Sequence, residues 1–147
     1  MKLFIKKFQE LSNEELYGII KLRVDIFVVE QNCPYADLDD LDQEAIHVFL
    51  KDGEKILAYV RLMDRGVESD HVAIGRVVVS HKGLGLGRRI MEEGIKAAKE
   101  IFAADIIYLE AQKYAQGFYE KLGFVQVSDE FILDDIPHIK MELNEKI

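Results

Sequence analysis

The chain has 147 residues, 49% of them apolar and 31% charged, with a formal net charge of −8. This is the profile of one soluble globular domain spanning 1–147, and its acidity argues against a nucleic-acid partner, which needs a basic surface. The single cysteine, Cys33, excludes an internal disulfide and a Cys-rich metal site. There is no signal peptide and no apolar run of about 20 residues, so the expected location is cytoplasmic, with no membrane partner.

Residues 3–8 predict a first strand. Ser12 and Glu15 have capping-box spacing, and Leu11 precedes them as a staple residue. A helix then carries Leu16, Ile19, Ile20, Arg23, Ile26 and Phe27 at helical spacing. The stretch 27–35 changes character and ends near Pro34, which a helix does not pass. Residues 37–44 are dense in acid. Leu41 and Asp42 stand where a calcium loop of the EF-hand type needs an acid and a glycine, so that reading fails. A solvated acidic loop is expected; a loop beside a cationic substrate is the sharper alternative.

Two strand-like runs, 46–51 and 55–63, flank Asp52-Gly53, a strong hairpin signal. A polar loop leads to a strand over 71–80. A helix over 87–104 turns Ile90, Met91, Ile95, Ala98, Ile101 and Phe102 inward. Residues 106–111 predict a central strand. A short helix over 114–122 closes at Gly123, and 124–127 and 138–143 predict the last strands. The fold class is therefore α/β with a mixed sheet. A parallel crossover spans 72–111, and hairpins join the rest.

The most informative stretch lies inside that crossover. The run Val77, Val78, Val79 stops at Ser80. Gly83, Gly85 and Gly87 follow, and a helix starts at once. Free N–H groups in a first helical turn, together with the helix dipole, hold an anion. A phosphorylated cofactor is implied. A dinucleotide site needs G-x-G-x-x-G, but the third position is Arg88 counted from Gly83 and Ile90 counted from Gly85. No Gly-Lys-Ser/Thr follows, which excludes a P-loop.

Lys82-x-x-Gly85-x-Gly87 resembles motif A of the GNAT superfamily of N-acetyltransferases, with Lys82 where Arg or Gln is usual. The stretch 115–124, Ala-Gln-Gly-Phe-Tyr-Glu-Lys-Leu-Gly-Phe, resembles motif B of the same superfamily. Residues 27–35, 74–80 and 136–141 resemble signature stretches of its ElaA-type subgroup, so the likeness covers nearly the whole chain. It implies a GNAT acyl-CoA N-acyltransferase fold, a central mixed sheet flanked by helices with two splayed strands at the cofactor site.

The resemblance also implies acetyl transfer from acetyl-coenzyme A to a primary amine on a small molecule or peptide. The cofactor would be held by Val77, Val78 and Val79 through their backbone, by Lys82, Gly83, Leu84, Gly85, Leu86, Gly87 and Arg88 around the pyrophosphate, and by Gln112. An N–H near Val78 or Val79 would polarise the thioester. Tyr119 is the candidate general acid for the leaving thiolate. Candidates for the base are Glu30, Asp42, His47, Glu110 and His138, and the sequence singles out none. Nothing in the sequence makes Cys33 a nucleophile, and no metal is expected. The alternative is an acyl-CoA-binding module without catalysis. A homodimer through the open end of the sheet stays an option.

Overall fold

The computed structural model describes residues 1–144. The last three residues of the expected domain, 145–147, lie outside them. One mixed sheet organises the chain, in the order β1-β2-β3-β4-β5-β8-β6, with β7 also paired to β8.

β1 (Lys2–Lys7) forms an edge beside β2 (Ile46–Asp52). β2 turns into β3 (Lys55–Met63) through the expected Asp52-Gly53 hairpin, where Gly53 has φ 59°. That sign of φ is what glycine supplies at low cost. β4 (Val72–Val79) runs antiparallel to β3 and parallel to β5 (Ile106–Gln112). Between them lies α2 (Leu86–Phe102). β8 (Ile136–Asn144) follows β5, with the short β6 (Val125–Gln126) and β7 (Phe131–Leu133) along its far side.

α1 (Asn13–Arg23) starts at the predicted capping box. The Ser12 hydroxyl accepts from the Glu15 N–H at 3.0 Å, and the Ser12 N–H donates to Glu15 Oε1 at 2.9 Å. The helix does not simply end. It widens into a π-helical segment, Val24–Glu30. Such segments gather at functional sites because they re-aim side chains. The short helix over 114–122 is a single 3₁₀ turn followed by α3 (Gln116–Glu120), and the chain leaves it through Gly123 at φ 100°.

The two faces of the sheet carry different cores. Val48, Leu50, Val60, Leu62, Ile74, Ile107 and Leu109 pack with Ile90, Met91 and Ala98 of α2 and Tyr119 of α3. Phe49, Tyr59 and Val78 pack with Ile19 and Leu22 of α1 on the other face. Gly94 allows the close approach of α2: a Cβ there would stand 2.9 Å from Val60 Cγ2.

β7 was not expected. It forms a hairpin with β8 through Asp134-Asp135, at φ 50° and 62°. Asp tolerates this conformation better than most residues but signals it less clearly than Gly.

Candidate active site

β4 and β5 pair only at Val72–Ile107 and Ala73–Tyr108, then part. The cause lies on β4. On β3, Tyr59 faces Val78 while Arg61 faces Gly75, so β4 carries one extra residue there. Arg76 sits in that bulge at φ 52°. A non-glycine residue held in this region stores strain, which collects at functional sites. Beyond the bulge, β4 has no strand partner on its β5 side among the described residues.

The gap opens into a cavity of about 200 Å³. Val77, Gln112 and Tyr119, three of the expected site residues, line it. Residues 82–88 do not. They lie at the end of β4, where α2 begins, with Lys82, Gly83, Leu84, Gly85 and Arg88 exposed and Leu86 buried in the core. Gly83 and Gly85 adopt φ 84° and 74°, and a Cβ at either would meet nothing within 4 Å. The first bond of α2 runs from the Arg89 N–H to the Gly85 carbonyl at 3.1 Å, so the N–H groups of Leu86, Gly87 and Arg88 precede the ladder. No acidic residue sits in that first turn. This cradle fits a pyrophosphate. Gly87 differs from its neighbours: its φ is not positive, and a Cβ there would touch Phe118 at 3.5 Å.

Tyr119 is 9% exposed, stacked edge-on between Phe118 and Phe124. Its hydroxyl has no protein hydrogen-bond partner among the described residues. Burial pushes its phenol well above the ordinary value, so it stays protonated.

The base candidates separate. Glu110 and His138 line the cavity. His138 Nδ1 is hydrogen-bonded to the Ile136 carbonyl at 2.7 Å. Glu30, Asp42 and His47 do not line it. His47 is fully buried, with Nδ1 bonded to the Tyr59 hydroxyl at 2.6 Å and Nε2 to the Asp42 carbonyl at 2.9 Å. Burial lowers its pKa. Asp42 lies between two arginines, and Glu30 is exposed on the π-helical segment. Cys33 lines the cavity, its thiol donating to the Asp134 carbonyl at 3.2 Å.

The acidic stretch is only partly the solvated loop expected: Asp40 and Glu44 are exposed, but Asp37, Asp39 and Asp42 turn inward. Asp37 and Asp42 are buried, and the acids close on three arginines from other elements. Arg23 Nε meets Asp37 Oδ2 at 2.8 Å, and its Nη1 meets Asp42 Oδ1 at 2.7 Å. Arg61 bonds Asp39, Asp42 and Glu68 at 2.7, 3.0 and 3.0 Å. Arg76 meets Asp37 and Asp39 at 3.0 and 3.2 Å. The Tyr35 hydroxyl donates to Asp37 at 2.6 Å. Buried charges need such pairing. The network anchors the chain just beyond Gln31, Cys33 and Tyr35, which line the cavity. The sequence hint was Arg23 on the apolar side of a helix.

A model of the Acetyltransferase (GNAT) domain matches residues 10–145. The chain belongs to the GNAT acetyltransferase family. Among its relatives, protein ElaA of Escherichia coli is 37% identical over 136 residues, 90% of this chain and 89% of ElaA. The crystal structure of E. coli ElaA superposes with a TM-score of 0.90 over 98% of this chain and 100% of ElaA, at 34% identity. That of an acyl-CoA N-acyltransferase from Pseudomonas aeruginosa gives 0.91 at 39% identity, over 97% and 99% of the two chains. An aminoglycoside 6′-N-acetyltransferase complexed with coenzyme A shares the fold alone, at a TM-score of 0.71 and 17% identity over 98% of both chains. The mixed sheet with splayed β4 and β5 is thus the GNAT acyl-CoA N-acyltransferase fold, of the ElaA type. Among the described residues no helix is long and apolar enough to cross a membrane, and no cluster of His, Cys, Asp and Glu could hold a metal.

Proposed function

We propose that this protein transfers the acetyl group of acetyl-coenzyme A to a primary amine by direct attack. The observation that carries this reading is the Gly83–Arg88 cradle at the end of β4, the strand whose Val77 lines the cavity opened by the parting of β4 and β5, with Tyr119 on the cavity wall. The neighbouring aminoglycoside acetyltransferase, complexed with coenzyme A, supports the same choice of cofactor.

Acetyl-coenzyme A, when bound, supplies the thioester. Leu86, Gly87 and Arg88 offer their N–H groups to the pyrophosphate, and Lys82 adds positive charge. The β4 backbone from Val77 to Val79 pairs with the amide-bearing arm as one strand pairs with another. An N–H there, near Val78 or Val79, polarises the thioester carbonyl, an effect worth about 3 kcal/mol. Gln112 at the end of β5 contacts the same arm. Tyr119 stays protonated until sulfur departs and then donates its proton.

The deciding experiment is calorimetric titration with acetyl-coenzyme A, with NADP as control, followed by thiol release against a panel of amines. Binding of acetyl-coenzyme A alone, with turnover that falls about a hundredfold in Tyr119→Phe while affinity holds, supports the reading. Binding with no thiol release from any amine favours a module that only senses acyl-coenzyme A. No binding refutes both.

A further inference from the structure

Four apolar side chains line the cavity where it meets solvent, and they come from three segments far apart in the chain. Phe27 belongs to the π-helical segment, Tyr114 to the 3₁₀ turn after β5, and Leu133 and Ile136 to the β7–β8 hairpin. Tyr114 is 73% exposed and Leu133 39%, while Phe27 and Ile136 are half-buried. A single exposed Leu or Tyr on a surface needs no explanation. Four apolar groups converging on one opening form a patch, and such patches mark binding sites.

The surrounding bonds hold this rim in place. The Tyr114 hydroxyl stands 3.4 Å from Gln31 Nε2. The Cys33 thiol donates to the Asp134 carbonyl, next to Leu133. Phe131, on the same face of β7 as Leu133, lies against the ring of His138 with centroids 6.0 Å apart. Polar groups of the same wall are already engaged. Gln31 is bonded to Gln112, and Arg61 and Arg76 are paired with Asp37, Asp39, Asp42 and Glu68. These arginines have no surplus charge to offer a substrate carboxylate.

Size sets the rest. The cavity holds about 200 Å³. A space of about 150 Å³ is filled by one benzene ring. With a thioester inside, only the amino end of an acceptor fits, and its body must lie across the rim. A polar body there would lose water without gaining a partner. An aromatic body would bury apolar surface against Leu133 and Ile136 and meet the rings of Phe27 and Tyr114.

We infer that the acceptor is a small arylalkylamine, its amino group inside the cavity and its ring on Phe27, Tyr114 and Leu133. This rests on the acyl-transfer reading above and names the class of amine. The C–N bond forms as the C–S bond breaks, the departing sulfur takes the proton of Tyr119, and an amine proton returns to Tyr119 through water.

The test is thiol release from acetyl-coenzyme A with 2-phenylethylamine, ethylamine, 1,4-diaminobutane and trialanine. The kcat/KM for 2-phenylethylamine should exceed each of the others about tenfold or more, mainly through KM. Leu133→Ser and Tyr114→Ala should each shrink its advantage over ethylamine several-fold, with the affinity for acetyl-coenzyme A showing that the cofactor site is intact. Tyr114→Phe, which keeps the ring and loses only the hydroxyl, should preserve it. Equal values for 2-phenylethylamine and ethylamine, a higher value for the diamine or the peptide, or an advantage that both Leu133→Ser and Tyr114→Ala leave intact would overturn this inference and spare the acyl-transfer reading. Thiol release with none of the amines would overturn both.

Discussion

Gln31 and Gln112, 81 residues apart, hold each other through two reciprocal amide hydrogen bonds, each 3.2 Å long. Gln31 caps the π-helical segment and Gln112 ends β5, so the pair ties the wall of the cavity at 31–35 to the strand expected to meet the cofactor. Gln31 also reaches the Tyr114 hydroxyl at 3.4 Å. Gln31→Ala should cost about 1 kcal/mol of stability, the net worth of such bonds. Hydrogen exchange should quicken at the amides from 31 to 35 while those of α2 stay protected. Uniform quickening would mean that the pair supports the whole fold rather than this wall.

Gly85 begins α2 at φ 74°, a conformation costly for a branched side chain. Gly85→Val should weaken acetyl-coenzyme A binding about tenfold or more, through strain and through a side chain facing the pyrophosphate. Calorimetry on protein with an unchanged circular dichroism spectrum reads this directly. An unaltered affinity would remove the loop from the cofactor site.

Arg23 is 1% exposed and joins Asp37 to Asp42. Arg23→Met should destabilise the protein by about 3–5 kcal/mol, because it leaves buried carboxylates short of their partner. Arg76→Met should cost less, since Arg76 is 22% exposed and its partners keep Arg23 and Arg61. Urea midpoints of the two variants give the order, and a larger loss for Arg76 would contradict it.

Acid should unfold the protein in two stages. Burial lowers the pKa of His47 below its ordinary 6.5, so below that pH the unfolded chain binds a proton that the folded chain refuses. Stability therefore begins to fall as pH drops through about 6.5. Burial pushes Asp39 up, but its bonds and charge contact with Arg61 outweigh this and bring it to about 2. Arginine contacts likewise leave Asp42 below the usual carboxylate range. Their contribution is complete above about pH 4 and is lost as pH falls toward 2. A melting temperature that is flat from pH 7 to 5 would refute the His47 stage. In His47→Gln that upper limb should vanish while the lower one persists.

Much of the fold was legible because its signals are local. The capping box at Ser12 and Glu15, the turn at Asp52-Gly53 and the strand–glycine–helix unit at 77–90 each sit within a few residues, where backbone sterics decide the outcome. Two elements escaped. The π-helical segment continues the apolar spacing of α1, so periodicity alone cannot separate them. β7 turns on Asp134-Asp135, a pair that reads as polar loop until the pairing with β8 imposes positive φ.

The sequence by itself pointed to the family, to most of the order of elements and to a glycine turn ahead of α2, because motif spacing and hydrophobic period act along the chain. It could not decide where its charges go. Five acids within eight residues all look solvated until Arg23, Arg61 and Arg76 arrive from three other elements and pair with Asp37, Asp39 and Asp42, while Asp40 and Glu44 stay exposed. Nor could it sort the base candidates, which depends on the bulge at Arg76, the parting of β4 from β5, and the face on which Glu110 emerges. Pairing between distant charges and the register of a bulged strand are properties of the assembled sheet. Only the tertiary structure decided them.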